Sequence, residues 1–232
     1  MTSRSTKAVQ GSEARPSKPR VGRPTRDASA QLRDRILDVA TELLFSHGYG
    51  ATSIEAIARQ ARVSKRTLYQ RFPDKLALMS AVIVRLIDSL RPPAHTSLTE
   101  GGSLEQILVR LGSLILHAAL TPRVLQLQRL IVAESGRFPD LASAVAKAGG
   151  RQEAVALISQ LLLHHERGAA MTPVDAEFAA HQFLQMIVSL PQLRTIGLGG
   201  PMTPAELESW VRNSVALFLG GYVRIAQRSE KA

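Results

Sequence analysis

The chain has 232 residues, 45% of them hydrophobic, and it contains no cysteine. This composition allows a folded core but excludes disulfides, a thiol nucleophile and a cysteine-based zinc site. The formal net charge is +10, and residues 1–90 carry +8 of it, since they hold 16 Lys and Arg against eight Asp and Glu. Such asymmetry indicates a polyanionic partner at the N-terminal end, although a basic solubilising tail would give the same signal.

Residues 1–27 are rich in Ser, Thr, Pro, Gly and Arg and are predicted to be a disordered basic arm. Within the arm, PRVGRPTR (19–26) combines a thin, extended backbone with several cations. A strand of this kind can enter an A·T-rich minor groove, where the potential is most negative. Arg20 and Arg23 are therefore candidate DNA contacts, although a plain charged tail would look similar.

Helical periodicity follows the arm, and residues 28–75 are predicted to form a domain of three helices. The first helix ends at Gly48. Thr52 and the next three residues, Ser-Ile-Glu, make a capping box that opens the second helix. Ser64 is a good N-cap for the third helix.

The third predicted helix lies in VSKRTLYQRFPDK (63–75), which contains four cations and one acid. Leu68 and Phe72 are expected to face the first two helices, which leaves a cationic outer side. Two short helices joined by a tight turn, the second one cationic, are typical of a helix-turn-helix motif. Such a helix fits the major groove of B-DNA, where Arg and Lys read guanine edges. The helix N-termini offer N–H groups and hydroxyls to phosphates.

Residues 36–83 resemble the TetR family of bacterial transcriptional regulators. The resemblance lies in ATELLFSHGYGATSI (40–54), IARQA (57–61) and VSKRTLYQRF (63–72), followed by Lys75. It implies an all-α protein in which an N-terminal three-helix helix-turn-helix DNA-binding domain joins an all-helical ligand-binding and dimerisation domain. A basic arm before the first helix is also common in the family.

The resemblance implies roles for individual residues. Tyr69 matches a family tyrosine that meets the DNA backbone or a thymine methyl, while Thr67 and Lys75 match positions that usually meet phosphate. Lys65 and Arg66 lie where base contacts are usual. Each could instead be an ordinary exposed polar residue. The full set of candidate DNA contacts is Arg20, Arg23, Thr52, Ser53, Ser64, Lys65, Arg66, Thr67, Tyr69, Arg71 and Lys75.

Two positions depart from the family pattern. Arg62 stands at a turn position where the family usually has glycine, and it is expected to adopt the turn with some strain. Arg66 occupies a position that is often glycine. It adds a cation on the DNA side, which suggests an operator preference different from that of typical members.

Residues 76–232 are predicted to be a helical regulatory and dimerisation domain, with helices over about 103–120, 122–136, 139–148, 151–167, 173–190 and 204–228. The last two helices are apolar on more than one face, which favours a subunit interface, although core helices would look the same. The candidate interface residues are Phe183, Ile187, Leu207, Trp210 and Leu217.

A small-molecule effector is expected to bind among the helices between residues 103 and 190. Polar groups in apolar surroundings are its candidate contacts, although a lone histidine on a helix is more often a satisfied or half-exposed residue. These candidates are His117, Gln126, Glu134, His181, Gln182 and Gln185. The adjacent His164 and His165 suit a helix end and point in different directions, so neither a metal site nor a cofactor is predicted.

The leading interpretation is a homodimeric TetR-like repressor that binds an inverted-repeat, double-stranded DNA operator and is released by a small-molecule effector. Repression and induction rest on the resemblance alone. An architectural DNA-binding protein without an effector is the alternative. An enzyme is disfavoured because the sequence has no G-x-S-x-G motif, phosphate-binding loop or ligand-spaced His/Asp/Glu group. With no signal segment and no apolar run of about 18 residues, we expect a cytoplasmic protein without a membrane partner.

Overall fold

The computed structural model describes residues 26–92, 98–165 and 171–229. These ranges contain α-helices and no β-strand, which confirms the all-α prediction. The ten helices are α1 (Arg26–Ala51), α2 (Ile54–Gln60), α3 (Lys65–Tyr69), α4 (Lys75–Asp88), α5 (Leu104–Ala119), α6 (Pro122–Glu134), α7 (Pro139–Lys147), α8 (Gly150–His164), α9 (Pro173–Thr195) and α10 (Pro204–Ser229).

Helices α2, α3 and α4 each begin at a side-chain cap. Ser53, Ser64 and Asp74 accept hydrogen bonds from the backbone N–H three residues further on, at 3.1, 3.0 and 2.7 Å. Each such cap stabilises a helix by about 1 kcal/mol. The prediction of Ser64 as an N-cap is confirmed, whereas the cap of α2 is Ser53 rather than Thr52.

The turn between α2 and α3 depends on Arg62, which has a φ of 56°. This is the left-handed region, which costs a non-glycine residue roughly 1–2 kcal/mol. The N–H of Val63 donates to the carbonyl of Ala58 at 2.9 Å and closes the turn. The predicted strain at Arg62 is therefore confirmed.

A first hydrophobic core joins α1–α4 to α6 and α7. Leu37 of α1, Leu68 of α3 and Ile83 of α4 are fully buried in it, together with Leu141 of α7. The core therefore continues past residue 75, where the sequence suggested a domain boundary. The helix-turn-helix is packed directly onto the helices that follow it.

A second core is formed by α5, α8, α9 and α10. Leu108, Ile158 and Phe183 are fully buried at its centre, and the Phe183 ring meets Phe218 of α10 edge-on, with centroids 5.2 Å apart. This core holds the long helices α9 and α10 against each other.

Helix α9 runs through Pro191 to Thr195, although the sequence suggested an end just before the proline. Proline lacks the N–H that would donate to the carbonyl four residues earlier, which is that of Ile187. The indole Nε1 of Trp210 donates to this carbonyl at 3.0 Å and to that of Met186 at 3.1 Å. A side chain of α10 thus replaces the donor that the proline removes.

None of the described helices is, by itself, long and apolar enough to cross a membrane. Helices α5 and α6 pass that test of length and composition only as a pair, across a bend of 68°. Much of their apolar surface faces the protein, since Leu108, Leu116 and Leu127 are buried.

Candidate nucleic-acid interface and effector cavity

Helix α3 is anchored to the first core by one side. Leu68 is fully buried, and Phe72, just after the helix, is 4% exposed. Arg33 of α1 lies over the Phe72 ring, with its guanidinium carbon 5.8 Å from the ring centroid. Since both apolar anchors lie on the same side, the opposite side of α3 faces solvent, as the sequence predicted.

The outer face of α3 consists of Lys65, Arg66 and Tyr69, which are all exposed. Tyr69 is 47% exposed, which is more than a ring of this size usually shows. Cations and a phenol on a protruding helix are suited to phosphate oxygens and to base edges in a major groove. The structure therefore brings three predicted DNA contacts onto one surface.

Lys65 is paired with Glu55 of α2, with Nζ 2.7 Å from the carboxylate. The hydrogen bond from Lys65 holds the pKa of Glu55 below its usual value. Both side chains are more than half exposed, so the pair is weak and can open when DNA competes for the ammonium. The sequence placed Glu55 in the capping box of α2 and did not reveal its pairing with Lys65, because that pairing depends on how α2 and α3 pack.

The hydroxyls at the helix starts are engaged in capping. Ser64 accepts from the Thr67 N–H at 3.0 Å, and the two hydroxyls are 2.8 Å apart. Ser53 accepts from the N–H of Ala56. Because a hydroxyl has one donor and two acceptor positions, the proton of Ser53 remains able to donate to a phosphate.

Thr52 is the exception, and its predicted phosphate contact is wrong in this structure. The residue is 3% exposed, and its hydroxyl donates to the carbonyls of Leu43 at 3.0 Å and of Gly48 at 2.7 Å. Its single proton is thus directed at the end of α1. Thr52 fastens the α1–α2 connection, which the sequence pattern did not distinguish from a cap.

Arg71 is partly buried and donates to the hydroxyl of Ser29, 42 residues earlier, at 3.1 Å. This bond ties the segment after α3 to the first turns of α1. The sequence did not reveal that fastening role, and only the remaining N–H groups of Arg71 could reach DNA. Arg20 and Arg23, the predicted minor-groove contacts, lie outside the described residues.

Lys75, the predicted phosphate contact at the start of α4, is half-buried. Its Nζ donates to the carbonyl of Gly50 at 3.3 Å and lies 4.3 Å from the centroid of the Tyr49 ring. Burial lowers the pKa of the Lys75 ammonium, and the negative charge of Glu134 opposes that shift. In this structure the ammonium is therefore held against the end of α1.

A cavity of about 810 Å³ lies among helices α4–α9. Its walls are aliphatic, with Leu111, Ile115, Leu127, Ile131 and Leu157 among them, and none of the described lining residues is aromatic. The volume of the cavity and its apolar lining are typical of a site that binds a small molecule.

The polar part of the cavity lies where the end of α4 meets the start of α8. Nε of Arg91 donates to Glu153 at 3.0 Å, and Arg91 also pairs with Asp88. The hydrogen bond to Glu153 raises the pKa of Arg91. Arg151 and Gln152 complete this polar edge, so the site is apolar inside and charged at one end.

The predicted effector contacts do not line this cavity. His181 is half-buried beside Glu177, and Glu134 lies against Gly48 at the end of α1. The other four are exposed on outer helix surfaces, namely His117, Gln126, Gln182 and Gln185. None of the six therefore lies in this cavity, which aliphatic residues enclose, and their role as effector contacts stays a prediction.

The predicted interface residues divide into two groups. Phe183 and Ile187 are fully buried in the second core, so they are core residues and not surface residues. Leu207 and Trp210 pack partly against the same core, whereas Leu217 is 71% exposed. Four further apolar residues are exposed on α9, namely Val174, Phe178, Leu190 and Leu193.

The described ranges contain no group of three or more His, Asp or Glu side chains that could hold a metal ion. His164 bonds through Nδ1 to the carbonyl of Gln160, one turn earlier, at 2.7 Å. This is an ordinary helix-end contact of a histidine.

Comparison with known proteins agrees with the geometry. Residues 36–82 match the family model of bacterial regulatory proteins of the tetR family, and residues 106–224 match that of the AefR-like transcriptional repressor C-terminal domain. The solved structure of the flavonoid-responsive regulator FrrA is 32% identical, covers 83% of this chain and 97% of its own, and has a TM-score of 0.69.

A TetR-family regulator from Mesorhizobium loti is 28% identical over 84% of this chain and 98% of its own, with a TM-score of 0.66. An uncharacterised helix-turn-helix-type regulator of Mycobacterium tuberculosis is 37% identical over 94 residues, or 40% of this chain. The chain spans only 44% of the length of this relative and of two further mycobacterial relatives.

The matched families and the relatives are transcriptional regulators, and the helix-turn-helix fold and the outer face of α3 agree with that class. The second family model alone covers about half of the residues. The chain belongs to the TetR family.

Proposed function

We propose that the protein is a homodimeric repressor that binds an inverted-repeat operator and is released when a small molecule fills the cavity. The observation that carries this proposal is the outer face of α3, cationic and exposed on a helix whose other side is anchored in the core. Repression is supported by the match to AefR-like repressors. Release is supported by a cavity that α4 lines and that adjoins the helix-turn-helix core.

The proposed DNA contacts combine the resemblance to the TetR family with the positions of the side chains around α3. Lys65 and Arg66 are assigned to base edges, and Tyr69 to the DNA backbone or a thymine methyl. Phosphate contacts are assigned to Ser53, Ser64, Thr67 and Lys75. Lys65 must leave Glu55 to make its contact, so Glu55 is available to accept from a cytosine amine beside it.

The proposed subunit interface is the exposed apolar surface of α9 and α10, formed by Phe178, Leu190, Leu193 and Leu217. Gly220, one turn beyond Leu217, would let a partner helix approach, since an added Cβ meets nothing within 4 Å. A two-fold axis through such a surface would relate two copies of α3, and an inverted repeat with half-sites one turn apart requires them about 34–36 Å from each other.

The Leu217→Glu substitution is expected to turn the dimer into a monomer. It removes apolar surface from the interface and places two carboxylates near the two-fold axis, so the dimer Kd should rise by more than about 100-fold. Sedimentation velocity over a concentration series measures this. Val132→Glu, at an equally exposed valine on α6, is the matched control and should remain dimeric. A Leu217→Glu protein that sediments as wild type would contradict the interface.

Selection of genomic DNA fragments by the purified protein, at two salt concentrations, tests the function. We expect a few fragments that share one inverted repeat and persist at the higher salt. Broad retention that fades with salt would mean mainly phosphate binding, and would favour an architectural DNA-binding protein without an effector. Reporter expression from a retained promoter, with and without the protein, then distinguishes repression from activation.

The proposed effector is mainly apolar with one polar end, to suit the aliphatic walls and the charged edge of the cavity. FrrA is named as flavonoid-responsive, so a flavonoid such as naringenin is the first probe for release of a retained fragment. Release should be saturable, and it should be lost when the cavity is filled by Ala118→Trp while DNA binding persists.

A further inference from the structure

Glu134, the last residue of α6, lies at the junction between the DNA-binding helices and the helices that follow them. Oε1 of Glu134 lies so close to Gly48 that a Cβ placed there would be 2.6 Å away. Oε2 lies 3.7 Å from the corresponding position on Gly50. The carboxylate thus occupies the space beside two glycines at the end of α1.

Lys75 meets the same few residues from the other side. Its ammonium donates to the Gly50 carbonyl and lies over the ring of Tyr49. The Tyr49 ring in turn meets Phe138 of the α6–α7 connection edge-on, with centroids 5.0 Å apart. The Glu134 carboxylate and the Lys75 ammonium thus both lie beside Gly50 without forming a direct ion pair, and the negative charge of Glu134 opposes the lowering of the Lys75 pKa that burial causes.

Helix α6 connects this junction to the cavity. Val124, Leu127 and Ile131 line the cavity, and Ile131 precedes Glu134 by one helical turn. Leu127 and Ile131 also pack in the first core with α1. A ligand that displaces these side chains therefore acts on the helix whose last residue is Glu134.

We propose that Glu134 is a positioning residue for operator binding: its negative charge favours the position of the Lys75 ammonium beside Gly50, at the end of α1, over contact with a DNA phosphate. The inference rests on the proposed function, because it requires that Lys75 binds an operator phosphate.

The expected direction follows from the charges. An ammonium attracted by a carboxylate and tethered to a carbonyl is less available to a phosphate than a free one. Replacing Glu134 by glutamine keeps the shape of the side chain and removes that attraction. DNA binding should therefore become tighter, by about two- to five-fold for each half-site. This is the size expected when the attraction between two unit charges is removed in a partly solvated environment.

The test is a double-mutant cycle of Glu134→Gln and Lys75→Ala, measured as affinity for the strongest fragment retained in the selection. We expect Glu134→Gln to tighten binding in the wild-type background and to have no effect when Lys75 is alanine. Direct repulsion between Glu134 and DNA would be the same in both backgrounds and cancels in the cycle. The salt dependence of the affinity is a second readout. Lys75→Ala should reduce the slope of log K against log salt concentration by about 0.9 for each phosphate that Lys75 neutralises.

Two further variants keep the result interpretable. Glu105→Gln makes the same charge change on the exposed start of α5 and should leave DNA affinity unchanged. Glu134→Asp keeps the charge and should bind as wild type, even if Glu134→Gln lowers stability. Equal effects of Glu134→Gln in both backgrounds would overturn the inference. If the wild type retains no specific fragment, it is the proposed function that fails.

Discussion

Replacing Tyr69 and Lys75 together by alanine is expected to abolish specific operator binding. Each side chain should contribute about 1 kcal/mol or more to the complex, and a two-fold operator counts each twice, which gives about a 1000-fold rise in Kd. Fluorescence anisotropy with a labelled operator fragment measures the loss. Neither residue belongs to the α9–α10 surface, so sedimentation should still report a dimer.

The control for this experiment is Lys147→Ala, which removes one exposed cation from α7. It should change operator affinity little. If the double variant binds as tightly as wild type, α3 is not the helix that reads the operator, and the assignment of the outer face of α3 is wrong.

Gly48→Ala is expected to be the most destabilising single methyl addition in the DNA-binding part. Gly48 has φ 83° and ψ 169°, a backbone conformation found almost only in glycine. Strain of this kind costs about 1–3 kcal/mol, and the new Cβ would also displace the Glu134 carboxylate. Urea unfolding at a fixed protein concentration measures the loss, since dimer stability depends on concentration.

Gly136→Ala is the matched control for that loss. An added Cβ at Gly136 meets nothing within 4 Å, and its φ is not positive. We expect a change within about 0.5 kcal/mol, as for most surface substitutions. If both alanine variants were equally stable, the bend at the end of α1 would not require glycine.

The sequence predicted well those features of the fold that residues close together in the chain determine. Ser64 as an N-cap and Leu68 and Phe72 as anchors follow from the chemistry of a few neighbouring residues, and they also belong to the motif that resembles the TetR family. The strained turn at Arg62 was expected because that family usually has glycine there. The outer face of α3 was also predicted from neighbouring residues, since a short helix with apolar residues on one side leaves the other side exposed.

Features that depend on distant parts of the chain were not predictable. Thr52 looked like a helix cap, but its partners are the carbonyls of Leu43 and Gly48. The tie of Arg71 to Ser29 spans 42 residues, and Glu134 lies at a junction that exists only once α1, α4 and α6 have packed. The type of a polar residue shows which hydrogen bonds and ion pairs its side chain can form. It does not show which distant residue will be the partner.

The cavity could not be located for a related reason. Its walls are leucine, isoleucine, valine and alanine from six helices, and each helix has the periodicity of an ordinary core helix. A cavity differs from a filled core only in whether another side chain occupies the space beside each aliphatic residue. Searching the sequence for polar groups therefore pointed to solvent-facing residues instead.

The hydrogen bond from Trp210 to the Ile187 carbonyl, which Pro191 leaves without a donor, has a consequence for assembly. It joins α9 and α10 within one chain, so the surface that would meet a second subunit is already formed before the subunits meet. In the proposed dimer, two such preformed surfaces would dock as rigid bodies. Trp210 is also the only tryptophan of the chain, which makes its indole an intrinsic optical reporter of this helix pair.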